Sequence, residues 1–480
     1  MTKSNRREFL ESCLAGIAAA PGVQGQTRQR PNFLFFFPDQ NRWDWSPAHH
    51  SGIRMPALTR LMQGAVTFDR AHCASPVCAP SRACLATGQE YDRCGVRRND
   101  ESFPIASTTV YERLRRAGYR TLACGKIDLA TGELVAGRGL GTDGRRFTRE
   151  WGFTDAIVNA GKQAGAKCYL TPPVGPKDAY YAYLDALSPS QARLCAEDFQ
   201  RRNAPKELVW TDTTPSPLAE EHYLDNWIGR NGLALLDRAP KDEPWFLIVN
   251  FAGPHYPMDI PRRLERLYRG PDRVVEAFDQ PHGYSGTVEA AHHVRIRQNY
   301  AAMLENIDRW LGVYLERLRE RGDLERTIVV YASDHGEMLG DRGRWGKELP
   351  YESSLGVPLC ISGPGIRPRR STALVSLIDL TATLLDYAGV ERPKEMQGFS
   401  LRPLLEGRAQ AHREYLLSGL YDWRLVRNGR YKLITQFEGA AARLYDLEED
   451  PWEERDLAPA DPGLVGKLQQ LMRAGSYRPA

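Results

Sequence analysis

Pro31-Asn-Phe-Leu-Phe-Phe-Phe-Pro-Asp-Gln40 is the stretch that decides the fold of this chain. Its first eight residues form an almost continuous apolar run, typical of a strand buried on both faces of a parallel sheet. Similar runs recur at Tyr119–Cys124, Trp245–Asn250, Thr327–Ala332 and Pro358–Ser362. Helical patterns lie between them at Ala57–Met62, Val110–Ala117, Tyr223–Leu236 and Gln298–Arg319. This alternation predicts an α/β fold with a doubly wound, mostly parallel sheet flanked by helices.

The polar residues that follow these strands are the first candidates for function. In doubly wound sheets, functional residues collect just beyond the carboxyl ends of the strands. The first strand ends in Asp39-Gln40, and the strand Thr327–Ala332 is followed by Ser333-Asp-His-Gly-Glu337. We therefore expect these two segments to meet at one edge of the sheet.

The composition narrows the class of protein. The 480 residues include 42% hydrophobic and 26% charged side chains, as in a soluble globular protein. A net charge of +4 gives no reason to expect a nucleic-acid partner, although it would not repel a polyanion. Nine cysteines without a regular framework do not indicate a disulfide scaffold. No stretch approaches the ~20 apolar residues of a membrane span, so none is expected.

The amino terminus has the pattern of a targeting segment. Ser4-Asn-Arg-Arg-Glu-Phe-Leu10 precedes a short apolar run, Cys13–Ala20, and resembles a twin-arginine export signal. We assign residues 1–26 to this signal. It predicts an exported protein, periplasmic or extracellular, with the twin-arginine (Tat) export machinery as a partner.

The remaining chain divides into two predicted parts. Residues 31–390 form the α/β domain, and within it residues 136–215 are rich in Gly, Pro and charge without a clean period. We expect this insertion to be irregular and to lie near the mouth of the site. Residues 391–480 form a C-terminal subdomain with a final helix over Pro462–Gly475. Its small antiparallel sheet is predicted from the short alternating runs Trp423–Arg427, Tyr431–Ile434 and Leu444–Asp446.

Cys78-Ala-Pro-Ser-Arg-Ala-Cys-Leu-Ala-Thr-Gly88 carries the strongest functional signal. Pro80 and Ser81 suit the first turn and the cap of a helix, so the run should open a helix whose free amides face an anion. The run resembles the signature of the sulfatase family, in the alkaline-phosphatase-like superfamily. In that family a maturation enzyme oxidises the cysteine to formylglycine (3-oxoalanine).

The resemblance implies a nucleophile with its own release mechanism. The aldehyde takes up water and becomes a geminal diol, of which one hydroxyl attacks sulfur and the other later expels the sulfate. A serine would be left as a stable sulfate ester. The implied function is that of a sulfatase, a sulfuric ester hydrolase, and the implied partners include a formylglycine-generating enzyme.

A divalent cation is the second implied component. In sulfatases the two strand ends and the formylglycine bind one cation, commonly calcium, which makes its ligands here Asp39, Gln40, Cys78 (as formylglycine), Asp334 and His335. Oxygen donors suit calcium, and His335 adds a nitrogen. Gln40 and His335 depart from the commoner family pattern and resemble the choline-sulfatase and phosphonate-monoester-hydrolase branch. Manganese or magnesium are the alternatives.

Further motifs match the family's catalytic residues in order. Lys347 ends the run Asp334–Lys347 and is expected to hold a sulfate oxygen and the scissile oxygen. His255, in Pro254-His-Tyr-Pro257, is the candidate acid for the leaving alcohol, or orients the water that protonates it. Lys126 is expected to touch the diol and the sulfate, and Arg82 to stabilise the nucleophilic oxygen.

Asp128 is the main departure from the family. Many sulfatases carry a histidine two residues after the lysine, where it helps to release sulfate, and this chain reads Gly125-Lys-Ile-Asp128. Either Asp128 is the base or another residue is, with His72 as a weaker candidate.

Two rival functions stay open at this stage. One keeps the fold and hydrolyses phosphonate monoesters or phosphodiesters, which carry a single negative charge as sulfate monoesters do. The other is a non-catalytic protein that binds sulfated glycans. The favoured substrate is a sulfated small molecule or glycan, with carbohydrate suggested by the export signal and the arginine-rich loops.

Overall fold

Eight strands, all between Asn32 and Ser376, form the main sheet of the fold. The computed structural model describes residues 30–50, 52–203, 210–270, 281–283 and 288–474, and the predicted export signal lies outside these. The strands are β1 Asn32–Asp39, β2 Ala65–His72, β3 Arg120–Lys126, β4 Asp155–Asn159, β5 Trp245–Pro254, β6 Thr327–Ala332, β7 Leu359–Ser362 and β8 Arg369–Ser376. Their order is β4-β3-β5-β1-β6-β7-β2-β8. All neighbours are parallel except β7, which is antiparallel to both β6 and β2, so the predicted mostly parallel sheet is confirmed.

The central strand β1 is buried on both faces, as its apolar run predicts. Phe33, Phe35 and Phe37 belong to the buried cluster on one face of the sheet, and Leu34 and Phe36 to the cluster on the other. Because the side chains of a strand alternate between the faces, only an unbroken apolar run supplies both layers.

Helices cover the sheet and connect its strands. They are α1 Pro56–Gln63, α2 Cys78–Thr87, α3 Val110–Arg116, α4 Thr131–Val135, α5 Gly161–Leu170, α6 Ala179–Leu187, α7 Pro189–Arg202, α8 Leu224–Asp237, α9 Arg262–Tyr268, α10 Ala290–Arg321, α11 Glu352–Leu355, α12 Ile378–Ala388, α13 Arg402–Leu405 and α14 Pro462–Ala474. Short 3₁₀ turns lie at Glu220–His222, Leu324–Arg326 and Asp341–Gly343. None of the helices among the described residues is long and apolar enough to cross a membrane.

The segment 136–215 is more regular than the sequence predicts. It contains the edge strand β4 and the helices α5, α6 and α7, so the expectation of irregular structure is wrong for most of its described part. Local capping explains the helices. Asp178 accepts a hydrogen bond from the Tyr181 amide at 2.8 Å at the start of α6, and Pro189 occupies the first turn of α7.

A second, antiparallel sheet closes the described chain. Its strands are β9 Tyr415–Leu420, β10 Trp423–Asn428, β11 Tyr431–Phe437 and β12 Ala440–Asp446, in the order β12-β11-β10-β9. Leu468 of α14 packs with Val426, Leu433 and Leu444 on one face of this sheet. Leu425 and Ile434 belong instead to a buried cluster shared with the main sheet. The predicted antiparallel sheet is confirmed, and the predicted boundary at residue 391 stays a prediction.

Candidate active site

The carboxyl ends of four neighbouring strands bring the predicted site residues together. β1 ends at Asp39, β3 at Lys126, β5 leads into His255, and β6 is followed by Asp334. The helix α2 starts at Cys78 and points its amino terminus at the same place, with the thiol sulfur 3.8 Å from Asp39 Oδ1. The expected meeting of the strand ends therefore occurs.

Four side chains form a group able to hold a metal ion. The ligand atoms of Asp39, Cys78, Asp334 and His335 all lie within 4.8 Å of one another, and all four residues are buried. Burial works to raise the pKa of Asp39, but the neighbouring Lys126 and Arg82 hold it well below its usual value. Burial and then Lys347 lower the pKa of His335 to about 4. The site therefore holds an ionised carboxylate and a neutral imidazole, the protonation states that metal binding requires.

The imidazole of His335 has its lone pair on the correct side for a metal. Its Nδ1 lies 2.9 Å from the Gly336 carbonyl oxygen and donates to it. The other nitrogen, Nε2, lies 3.2 Å from Cys78 Sγ and keeps its lone pair. The donor set of carboxylates and a neutral histidine therefore fits a divalent cation.

Gln40, the other predicted metal ligand, is oriented by Glu337, a residue not singled out from the sequence. Gln40 adopts a left-handed backbone with φ 69°, and its side-chain Nε2 donates to Glu337 Oε2. That bond orients the amide so that Gln40 Oε1 faces Lys347 Nζ at 2.7 Å. Glu337 is itself held by the amides of Leu339 and Gly346, at 3.0 and 2.6 Å from its Oε1. The motif Asp334–Glu337 contained the signal for this residue, since a glutamate buried beside metal ligands needs a partner.

The thiol of Cys78 is surrounded by cations but is not itself activated. Lys347 Nζ lies 3.0 Å and Lys126 Nζ 3.6 Å from its sulfur. Burial raises its pKa to about 12, Asp39 adds to the rise, and the two lysines oppose it. Only a thiolate is an effective nucleophile, so burial works against direct attack by the unmodified thiol.

Arg82 ties the strand ends together beneath Cys78. Its guanidinium donates to Asp39 Oδ2 and Asp334 Oδ2, both at 3.0 Å, and to Asn250 Oδ1 at 2.7 Å. Ser81 lies inside α2 and donates to the Asp334 carbonyl at 2.6 Å, so the prediction that it caps the helix is wrong. The cap position is Val77, which makes no side-chain cap bond.

Lys126, at the end of β3, contacts the carboxylates of Asp39 and Asp128. Its Nζ lies 2.6 Å from Asp39 Oδ2 and 3.0 Å from Asp128 Oδ2. Gly125 has φ 93°, and a Cβ there would lie 1.9 Å from the Asn250 carbonyl oxygen, so β3 and β5 approach too closely for any side chain. Asp128 is buried and has φ 53°, a left-handed backbone that is uncommon outside glycine.

His255 lies half-buried at the wall of a cleft of about 200 Å³, which Lys126, Asp128 and Lys347 also line. Burial and then the charges of Lys347 and Lys126 lower its pKa well below the usual value, so the ring is neutral at neutral pH in the free site. Nδ1 donates to the Tyr256 carbonyl oxygen at 2.6 Å and leaves the lone pair on Nε2.

His72, the weaker candidate base, has another partner. Its Nε2 lies 2.8 Å from Glu352 Oε2, and Lys432 and Arg427 of the second sheet contact the same carboxylate at 3.1 and 3.5 Å. His72 is therefore part of a buried ionic cluster, and it is not among the residues that line the cleft.

Comparison with known proteins shows where this site belongs. A family model described as Sulfatase matches residues 31–390, and one described as N-sulphoglucosamine sulphohydrolase, C-terminal, matches residues 340–473. The choline-sulfatase of Rhizobium meliloti (strain 1021) is 28% identical, over 92% of this chain and 84% of its own length. An N-acetylglucosamine-6-O-sulfatase of Bacteroides thetaiotaomicron is 25% identical, over 95% and 88%. The crystal structure of the phosphonate monoester hydrolase of Agrobacterium radiobacter superposes with a TM-score of 0.72 at 21% identity, over 92% and 95%.

The chain belongs to the sulfatase family, as the Cys78 motif predicts. It is accordingly an enzyme, a sulfuric ester hydrolase, and the resemblance to the choline-sulfatase and phosphonate-monoester-hydrolase branch is confirmed. Three residues of the site were not singled out from the sequence: Glu337, Asn250 and Lys162, which is described below.

Proposed function

We propose that this enzyme hydrolyses a sulfate ester of a carbohydrate, with Cys78 matured to formylglycine and one divalent cation bound beside it. The observation that carries the proposal is the position of Cys78. Its buried thiol lies at a helix start, within hydrogen-bonding reach of Lys347 and Lys126 and beside the candidate metal ligands. A site that gathers positive charge around a buried thiol is explained if the thiol is the precursor of the nucleophile.

The cation would be held by Asp39, Gln40, Asp334 and His335, together with the modified residue 78. Carboxylate and amide oxygens favour calcium, with manganese or magnesium as alternatives because one ligand is an imidazole. When bound, the cation supplies positive charge to the sulfate oxygens and to the attacking oxygen.

Each cationic side chain has a role that follows from its position. Lys126 and Lys347 flank residue 78 and would hold sulfate oxygens, and Lys347 would also stabilise charge on the scissile oxygen. Arg82 would hold the carboxylates of Asp39 and Asp334 in place beneath the nucleophile. The hydrated aldehyde supplies two hydroxyl groups on one carbon, one to accept the sulfuryl group and one whose deprotonation releases it.

His255 would act as the acid for the leaving alcohol once substrate is bound. In the free site burial, and then the charges of Lys347 and Lys126, hold the pKa of its ring well below the usual value. A bound sulfate ester brings a negative charge that offsets those lysines and raises the pKa of the ring. Protonation of His255 is thereby coupled to substrate binding.

Asp128 would be the base that assists sulfate release. It lies 3.0 Å from Lys126 Nζ, and that contact offsets its repulsion of sulfate. The family histidine is absent here, and Asp128 lines the cleft in direct contact with Lys126.

The carbohydrate substrate is supported by one family model and one relative. The second family model is described as N-sulphoglucosamine sulphohydrolase, C-terminal, and the Bacteroides relative as an N-acetylglucosamine-6-O-sulfatase. The twin-arginine pattern at residues 4–10 supports export to the periplasm or beyond, and the Cys78 motif supports a formylglycine-generating partner.

A phosphonate monoester or phosphodiester hydrolase is the second candidate, favoured by Gln40 and His335 at the metal and by the structural neighbour of that activity. The test is the matured enzyme, with calcium, assayed on 4-nitrophenyl sulfate, on a phenyl phosphonate monoester and on a panel of sulfated sugars. Sulfate ester turnover that exceeds phosphonate turnover, with one sugar preferred, supports the proposal. Faster phosphonate turnover supports the second candidate. A Cys78→Ala variant that retains turnover of either substrate contradicts both.

A further inference from the structure

Lys162, near the start of α5, is a buried lysine to which the proposed mechanism gives no role. Its side chain is 1% exposed, and its partner Asp259 is 0% exposed. Burying an ammonium is costly unless each of its protons finds an acceptor, so its contacts show what it is for.

Three of the four acceptors around Lys162 Nζ belong to the loop that carries His255, and the fourth is Met303 Sδ at 3.4 Å. Nζ lies 3.1 Å from the His255 carbonyl oxygen, 3.0 Å from that of Pro257 and 2.8 Å from Asp259 Oδ1. No backbone amide among the described residues donates to either carbonyl. Lys162 therefore has no proton left for a substrate, although it borders the cleft.

Other residues hold the two ends of the same loop. Asp225 of α8 accepts from the amides of Ala252 and Gly253 at 2.7 and 3.1 Å, before His255. Tyr223 donates to the Asp259 carbonyl at 3.0 Å, after it. In the middle of the loop, Lys162 binds the carbonyls of His255 and Pro257, and Asn299 donates to that of Met258.

The start of α5 also contacts a second catalytic candidate. Gly161 has φ 71°, and a Cβ there would lie 3.0 Å from Cδ of Lys126. This turn thus packs on the stem of Lys126 and, one residue later, donates to the His255 loop. The segment 136–215, most of whose described part is regular secondary structure, therefore supports the site from one side.

We propose that Lys162 is a positioning residue for His255: it fixes the loop so that the imidazole faces the departing oxygen of the substrate. The inference rests on the proposed role of His255 as acid. A misplacement of about 1 Å costs ~10²-fold in rate, and a general acid contributes ~10²- to 10⁴-fold. Loss of Lys162 should therefore matter most for esters whose leaving group needs a proton.

The test uses matured, calcium-loaded enzyme and substituted phenyl sulfates from 4-nitrophenyl to 4-methoxyphenyl. We expect Lys162→Met to lower kcat for the methoxyphenyl ester by ~10²-fold and for the nitrophenyl ester by less than ~5-fold, because nitrophenolate leaves without a proton. In a His255→Ala background, Lys162→Met should cost less than ~3-fold further, since the two residues act as a unit.

Two controls separate positioning from stability. Lys177→Met removes a lysine of the same segment that donates to the Cys168 carbonyl at 2.8 Å and to that of Thr171, and should leave the leaving-group dependence unchanged. Asp259→Asn removes the buried charge but keeps Lys162 on both carbonyls. If Lys162→Met fails to fold because Asp259 is left unpaired, Lys162→Met/Asp259→Leu removes both charges and is measured instead.

Three results would overturn the inference: equal losses along the ester series, no loss, or a full further loss in the His255→Ala background. A wild-type enzyme that hydrolyses no sulfate ester would remove the proposed function and this inference together. If the wild-type enzyme hydrolyses sulfate esters but Lys162→Met leaves the dependence of kcat on the leaving group unchanged, only the inference is removed.

Discussion

Glu337→Gln is the change that most sharply tests how this site would hold the proposed cation. Glu337 accepts from Gln40 Nε2 on one oxygen and from two backbone amides, at 3.0 and 2.6 Å, on the other. A glutamine there keeps its oxygen on the two amides and turns its own NH₂ toward the NH₂ of Gln40. Two donors then face each other, and rotation of the Gln40 amide relieves the clash.

That rotation would remove the proposed metal ligand, the side-chain oxygen of Gln40. The Gln40 oxygen would leave the position where it faces Lys347 Nζ at 2.7 Å, and a nitrogen with no lone pair for the metal would replace it. Loss of a residue that orients a ligand costs 10- to 100-fold in metal affinity, or about 1.4–2.7 kcal/mol. Calorimetric titration of chelator-stripped enzyme with calcium measures this directly.

A control and a rescue make this prediction specific. Glu352→Gln, the same change at a buried glutamate that contacts His72 and Lys432, should leave calcium affinity within about 2-fold of wild type, because it orients no metal ligand. Gln40→Glu/Glu337→Gln reverses the bond between the two side chains and returns an oxygen to the metal, so it should restore affinity. Unchanged calcium affinity in Glu337→Gln, or no recovery in the double variant, would refute this reasoning.

The same bond predicts a pH dependence. Burial raises the pKa of Glu337 to about 7, so the carboxylate takes up a proton as the pH falls through that value. The protonated Glu337 then presents an O–H donor to the NH₂ of Gln40, as the glutamine of the Glu337→Gln variant presents its own NH₂. Calcium affinity should therefore decrease below about pH 7 in the wild type, and this decrease should be absent from Glu337→Gln.

Three further predictions concern the chemical steps. Cys78→Ser should give no repeated turnover and should keep a sulfate on residue 78, seen by peptide mass spectrometry, because a serine has no second hydroxyl to expel it; an unsulfated, fully active variant would contradict this. Asp128→Asn should lower kcat by ~10²-fold and produce a burst of alcohol, because release of sulfate slows while its transfer does not; a loss without a burst would remove Asp128 as the base. Sulfate binding at pH 6–7 should be accompanied by uptake of a fraction of a proton, because the anion raises the lowered pKa of His255. Calorimetry in buffers of different ionisation enthalpy measures this uptake. His255→Gln should abolish the uptake, and persistence of the uptake in that variant would assign the proton to another group.

The parts of the fold that follow from sequence are those with a strong local pattern. β1 has apolar residues on both faces, so its run identifies a central strand. β2, Ala65–His72, has no such run because Thr67, Asp69 and Arg70 interrupt it, so it is not predicted from the sequence. β7 runs antiparallel to both of its neighbours, β6 and β2. A five-residue apolar run carries no information about strand direction, so this reversal could not be predicted.

The residues of the site also differ in how far the sequence predicts them. Asp39, Asp334 and Lys126 lie at or just after the ends of strands and belong to recognisable motifs, so their meeting at one sheet edge is predictable. Glu337 lay inside a motif, but its role depends on where Gln40 points, which only the packed structure shows. Lys162 lies in a segment without a clear pattern, and it reaches His255 across more than ninety residues of sequence, a contact that no local signal predicts.

The most direct test of this account is the chemical state of residue 78 in enzyme produced together with a formylglycine-generating partner. Hydrazide labelling followed by peptide mass spectrometry should find an aldehyde at residue 78 and at no other cysteine, in an amount proportional to sulfate ester turnover. A fully active enzyme whose residue 78 is an unmodified thiol would contradict the central claim.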